Sequence, residues 1–79
     1  MGKAVELHLK YLGRDSWSRP VYEGDDGVLW KDIDPRASVK ANLHTSVGNE
    51  FDGEPNRPMS EFEKYKNVSV TFVPKRDVW

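Results

Sequence analysis

Pro20-Val21-Tyr22-Glu23-Gly24-Asp25-Asp26-Gly27-Val28-Leu29-Trp30-Lys31-Asp32-Ile33 is the stretch that decides the fold. Its centre, Gly24-Asp25-Asp26-Gly27, is the clearest turn in the chain, because Asp and Gly tolerate the positive φ of a tight hairpin. Pro20 opens the first arm at a position where no ladder donor is lost. Asp34-Pro35-Arg36 ends the second arm, since the residue before Pro leaves the helical region and Pro has no N–H. The parity of the second arm leaves two readings open. If Leu29 and Ile33 face the core, Trp30 faces outward with Val28 and, joined by Tyr22 across the hairpin, marks an interface. If the sheet curls and both faces are covered, Trp30 is core.

The same period of two recurs on either side. Val5, Leu7, Leu9 and Tyr11 alternate with Glu6, His8 and Lys10 up to Gly13, which reads as a strand with one buried face. Val39, Ala41, Leu43, Thr45 and Val47 give another, and Val68, Val70 and Phe72 the last. Ser60-Glu61-Phe62-Glu63 fits a capping box, so a short helix is expected before the last strand, with Phe62 and Tyr65 on its buried side. Strands joined by hairpins and loops favour an antiparallel arrangement. The expected fold is a single, mainly β domain over residues 1–79. It is a small curled antiparallel sheet, or partly open barrel, of about five strands.

Length and charge bound the rest. A chain of 79 residues is one domain of marginal stability, burying roughly 60–65% of its unfolded surface. It has no cysteine, so neither a disulfide nor a thiolate metal site supplements the core, and a reducing, cytoplasmic setting is expected. Twelve basic residues against 13 acidic ones give a net charge of −1, which does not attract a polyanion wholesale. No apolar run approaches the roughly 20 residues that cross a bilayer. The first residues, Met1-Gly2-Lys3-Ala4-Val5-Glu6, do not read as a signal peptide.

Two connectors stand out from the rest: Arg14-Asp15-Ser16-Trp17-Ser18-Arg19-Pro20-Val21-Tyr22 and Phe51-Asp52-Gly53-Glu54-Pro55-Asn56-Arg57-Pro58. Both mix rings, charges, Gly and Pro, as ordered loops that carry binding do. Trp17 between two arginines suits stacking on a partner's side chain, a ring or a base. Alternatively it plugs one end of the barrel while Asp15 and an arginine tie the loop down. Asn49, Glu50, Asp52 and Glu54 gather oxygens, but not at the spacing of a calcium loop, and pairing of this acidic loop with Arg14 or Arg19 is the stronger expectation. His8 and His44 fall on polar parity and read as solvated. Ser16, Ser18 and Ser60 lack a nucleophile elbow, so no catalytic residue is assigned.

Most of residues 9–76 resembles a family of small bacterial domains encoded on conjugative transposons and related mobile elements of Firmicutes. It also resembles a domain within the large polyvalent proteins of such elements. The strings that carry the resemblance are Tyr11-Leu12-Gly13-Arg14-Asp15-Ser16-Trp17-Ser18-Arg19-Pro20-Val21-Tyr22, Leu29-Trp30-Lys31-Asp32, Phe51-Asp52-Gly53-Glu54-Pro55 and the closing Val68-Ser69-Val70-Thr71-Phe72 before Pro74-Lys75-Arg76. The resemblance implies a genomic setting rather than an activity.

The expected function is therefore noncatalytic: a protein-interaction module of mobile-element origin, with no cofactor, no metal and no membrane contact. Its candidate contact residues are Arg14, Asp15, Trp17, Arg19, Trp30, Asp52 and Glu54. The alternative is an accessory nucleic-acid contact, which requires Lys10, Arg14, Arg19, Lys40 and Arg36 to converge beside Trp17.

Overall fold

The computed structural model describes residues 5–79. It is mainly β. Six strands, β1 (Val5–Arg14), β2 (Pro20–Glu23), β3 (Leu29–Asp32), β4 (Leu43–Ser46), β5 (Pro55–Pro58) and β6 (Val68–Val73), form one sheet in the order β5-β4-β3-β2-β1-β6. The β2–β3 hairpin forms as its turn residues dictate. Gly27 takes φ 84°, its N–H bonds the Gly24 carbonyl, and the Asp26 carboxylate accepts the Val28 N–H.

Four features differ from the sequence expectation, each for a physical reason. The sheet has six strands rather than about five, because Pro55–Pro58, expected to be irregular, pairs along β4. It is mixed rather than antiparallel. β5 and β6 run in the same sense at opposite edges, so the chain between them must cross the sheet, and β6 joins β1 in parallel from Val5↔Val68 to Lys10↔Val73. That crossing is made by two 3-10 turns, Met59–Glu61 and Glu63–Tyr65, and not by a capped helix, since neither has a side-chain cap. β1 does not stop at Gly13. A register shift between Tyr11 and Gly13, with Gly13 at φ 128°, carries the strand on to Arg14.

The sheet is covered along one face and, on the other, over the β2–β3 hairpin, while Glu6, His8, Lys10, Ser69, Thr71 and Val73 of β1 and β6 stay exposed on that second face. On one, Leu7, Leu9, Tyr22, Trp30, Leu43 and Tyr65 form a ring-rich core, flanked by partly buried Val28, Phe62, Val70 and Phe72. Phe62 and Tyr65 meet Trp30 edge-on at 5.9 and 5.1 Å between ring centroids, the geometry that aromatic quadrupoles favour. The crossing segment thus supplies the lid of the core, and Phe62 and Tyr65 pack together as their spacing predicts. On the opposite face, Val21, Leu29 and Lys31 are buried beneath the two connectors.

Trp30 is the main correction to the expected contact surface. It is 0% exposed, as is Tyr22 opposite it in the hairpin, so neither belongs to an outward patch. The face that carries Trp30 and Val28 is the core, and Leu29 lies on the other covered face.

The chain after β6 returns over the sheet and is tied to it. Arg76 reaches the buried Asp32 carboxylate and the carbonyls of Val39 and Arg36. Asp77 accepts from Tyr11 at 2.5 Å and from Arg14 at 2.8 and 3.0 Å, while its own N–H donates to the Tyr22 hydroxyl. Among the described residues, no helix is long and apolar enough to cross a membrane.

Candidate functional site

The two connectors lie side by side on the face opposite the aromatic core, and one buried lysine joins them. Lys31, 0% exposed, donates to the Asp15 carboxylate at 2.6 Å and to the Phe51 carbonyl at 2.5 Å. Asp15 belongs to the first connector and Phe51 to the second. A second tie runs beside it: Ser16 donates its N–H and its hydroxyl to the Asp52 carboxylate at 2.9 and 2.8 Å.

Asp15 also organises its own loop. One carboxylate oxygen accepts the N–H groups of Trp17 and Arg19, both at 2.9 Å, and the other accepts Arg19 Nε at 3.2 Å. The backbone closes with Ser18 N–H on the Asp15 carbonyl and Asp15 N–H on the Arg19 carbonyl. Ser18 sits at φ 63°, a left-handed conformation that ordinary side chains disfavour and that this closed loop imposes. Burial works against the charge on Asp15, but the Lys31 ammonium and the N–H groups of Arg19 and Trp17 outweigh it and hold the carboxyl below its ordinary range. Asp52 is likewise held down by its bonds from Ser16, though the nearby Asp15 charge opposes this.

The second connector is fixed from its other side. Asn49, at φ 55°, accepts the Leu29 N–H and donates to the Gly27 carbonyl, binding the connector to the hairpin. Ser46 donates its hydroxyl to the Glu50 carbonyl. Gly53 runs so close to the Ser46 side chain and the Val47 carbonyl that a Cβ there would overlap both. Both connectors are therefore held by buried or paired polar groups, and among the polar side chains they expose stand two rings. Trp17 is 70% exposed and Phe51 36% exposed, with the Arg19 guanidinium 5.9 Å from the Trp17 ring centroid.

The sequence-predicted residues divide clearly. Trp17 is outside and does not plug the sheet. Asp15 is buried and ties the loop down together with Arg19, as the structural reading of that loop required, so its carboxylate is not a contact group. The expected pairing of the acidic loop with Arg14 or Arg19 does not form. Asp52 pairs with Ser16, Arg19 with Asp15, and Arg14 turns to Asp77. Glu54 is exposed and contributes its carbonyl to the Val47 N–H. Trp30 is core. Of the cations named for the nucleic-acid alternative, Arg19 lies beside Trp17, while Arg14 and Arg36 are spent on Asp77 and Asp34, and Lys40 lines a groove with Arg76.

Lys31, Ser16 and Phe51 carry the site, and sequence reasoning gives none of them this role: Ser16 is weighed there only as a nucleophile. Lys31 shares the parity of Leu29 and Ile33, but its charge reads as a solvated group. Only a loop folded back over that face buries it, and two-residue periodicity is blind to such a cover. Phe51 stood at the head of the second quoted connector, which was the one available signal. His8 is exposed, and its hydrogen bond to Asp25 raises its pKa above the ordinary histidine value. His44 faces the Asn42 carbonyl. Neither is near Ser16 in these hydrogen bonds. Among the described residues, no three His, Asp or Glu side chains converge as a metal site would require.

No protein-family model, no curated protein and no solved structure matches this chain.

Proposed function

We propose that this protein is a noncatalytic interaction module of mobile-element origin that captures a protein partner on the face built by the two connectors. The single observation that supports this reading is the exposed Trp17 ring on a loop whose backbone is fixed by the buried Asp15 carboxylate. A large ring held in water on a rigid frame loses little entropy on binding, and Trp and Arg are both enriched among energetic anchors. Trp17 is the apolar anchor, Phe51 extends it, and Arg19 supplies a directional cation. Arg14 is committed to Asp77, Asp15 shapes the frame from within, Asp52 ties the two connectors at the surface, and Trp30 belongs to the core of the other face. Glu54 is an exposed acid of the second connector. The mobile-element origin rests on the strings of residues 11–22, 29–32, 51–55 and 68–76 alone.

The nucleic-acid alternative loses ground to the pairing of its cations with carboxylates, which leaves few charges to release counterions from phosphates. One experiment addresses both readings. Wild-type protein and the Trp17→Ala and Phe51→Ala variants are immobilised and exposed to nuclease-treated lysate of the cell that carries the gene. The expected result is a protein retained by the wild type and lost by both variants, with each variant giving the wild-type circular dichroism spectrum. Retention of the same proteins by all three overturns the proposal. Binding that appears only without nuclease and collapses between 50 and 200 mM salt, on the order of the range where phosphate contacts fail, replaces it with the alternative.

A further inference from the structure

The two edges of the sheet are built differently. β5 is Pro55-Asn56-Arg57-Pro58, with a proline at each end and a cation, the composition that natural proteins use to blunt an edge against pairing. β6 is Val68-Ser69-Val70-Thr71-Phe72-Val73, six residues of high β-propensity without a charge or a proline. In parallel pairing, every second residue of β6 directs its N–H and C=O away from β1. Among the described residues, no strand pairs on that side. An open edge of this composition is a template for an added strand.

Beside this edge lies an open groove of about 800 Å³ on the aromatic face, floored by Leu43, Val70 and Phe72. Its lining includes three cations, Lys40, Lys66 and Arg76, and no carboxylate side chain. Arg76 is already held by Asp32, and Lys66 is 3.4 Å from the exposed Glu63 outside the lining, so Lys40 and Lys66 are the cations that reach solvent there. The flanks of β6 carry both signs, Glu61, Glu63, Lys64 and Lys66 before it and Lys75, Arg76 and Asp77 after it, so the charge that selects the occupant is that of the groove. With cations and no carboxylate side chain in its lining, the groove fits an occupant of opposite sign.

We infer that the β6 edge and its groove form a second docking surface, distinct from the Trp17 face. Its occupant is an extended acidic segment of another protein, which adds as a seventh strand. The segment is apolar at every second residue, so that one side enters the groove over Val70 and Phe72, and it carries carboxylates that meet Lys40 and Lys66. Backbone pairing supplies affinity, and the two lysines select acidic over basic sequences.

The test is a titration of 15N-labelled protein with a probe peptide of alternating Val and Thr flanked by two Glu at each end. A Lys-flanked peptide of the same core and the Lys40→Glu/Lys66→Glu variant serve as comparisons. The expected shifts fall at residues 68–73 and 40–43, with slowed amide exchange along β6. The Glu-flanked peptide should bind about tenfold tighter than the Lys-flanked one at low salt, and the double variant should reverse that preference. Equal affinity for the two peptides, no binding at millimolar peptide, or shifts confined to the Trp17 face overturns the inference. Sedimentation of the wild type as a dimer that Val70→Lys dissociates also overturns it, in favour of a second copy as the occupant.

Discussion

Trp30 and Lys31 are neighbours in β3, both fully buried, and they hold opposite faces of one sheet by opposite physics. Trp30 gathers Phe62 and Tyr65 edge-on and removes a large apolar area from water. Lys31 gathers Asp15 and Phe51 and removes a charge from water, which is favourable only because a carboxylate and a carbonyl meet it. The aromatic face closes the core. The polar face closes nothing of comparable area, but it fixes two connectors in one geometry. Apolar contacts tolerate sliding, whereas a buried ion pair with several directional bonds does not. That difference places the rigid display of Trp17 on the polar face.

Removing each anchor sharpens the comparison. Trp30→Ala should cost about 3–5 kcal/mol through the cavity it leaves. Lys31→Ala should cost about the same, because the Asp15 charge is then buried without its partner. In a domain whose whole stability is on the order of 5–15 kcal/mol, either change lowers the urea midpoint by a large fraction. Rescue separates them. Joint replacement by Asp15→Leu and Lys31→Met should recover much of the loss, since apolar residues of similar volume remove both charges together. A Lys31→Ala cost under about 1 kcal/mol would mean that the pair does not hold the polar face.

Gly53→Ala probes the polar face without touching charge. The added Cβ falls 2.4 Å from Ser46 Oγ and from the Val47 carbonyl, so the second connector must move. Such overpacking is expected to cost about 1–3 kcal/mol, with chemical-shift changes spreading to Phe51 and Ser16. Changes that stop at residue 53 would show the connectors to be independent of each other.

The aromatic face was the legible one. Leu7, Leu9, Phe62 and Tyr65 announce themselves by spacing, and Gly24 to Gly27 announce the hairpin. The polar face was half legible. Its connectors stood out as strings, yet what each charge does there depends on contacts far apart in the chain. Asp15 meets Lys31 across 16 residues and Asp52 meets Ser16 across 36. Asp77 meets Arg14 across 63. Alternation reports which side of a strand is apolar and says nothing of a loop returning to cover the other side. For that reason Trp30, read by parity from Leu29 and Ile33, could be placed on either face. The parallel β6 was illegible for a related reason, because strand direction at an edge is set by the route of the crossing chain.

Acid should dismantle the polar ties before the rings. Asp15, Asp26 and Asp77 all have carboxyls held below their ordinary value of 3.8, Asp77 at about 2 through its bonds from Arg14 and Tyr11. A lowered pKa in the fold means stability present above the unfolded value and lost as pH falls through the folded one. The window is therefore about pH 4 down to 2, and Asp77 alone accounts for about 2 kcal/mol there. Tyr65, buried and bonded to Asp26, has its pKa raised, so stability falls again as pH climbs above 10. Near-ultraviolet dichroism and urea midpoints at each pH measure both limbs. A midpoint flat from pH 5 to 2 would show that these carboxylates, Asp15 on the polar face and Asp26 and Asp77 beside the tyrosines, do not hold the fold. In Asp77→Asn the acid limb should become shallower.

Trp17→Ala is expected to have the smallest effect on stability and the largest on binding. The ring is 70% exposed, and the bonds that fix its loop run to its backbone N–H rather than to its indole, so the substitution leaves the Asp15 frame intact. The unfolding free energy should move by no more than about 0.5 kcal/mol, as for other surface changes. Partner affinity should fall by at least about 2 kcal/mol, the scale of an interface anchor. Should stability fall instead by several kcal/mol, the ring belongs to the fold and the connectors display nothing. Should neither quantity move, the rigidity that Lys31 confers on the polar face serves some surface other than Trp17. A control separates rigidity from contact: Lys31→Met with Asp15→Leu keeps Trp17 while loosening its frame. If preorganisation is the reason for the buried pair, that double variant should bind more weakly than the wild type while retaining most of its stability.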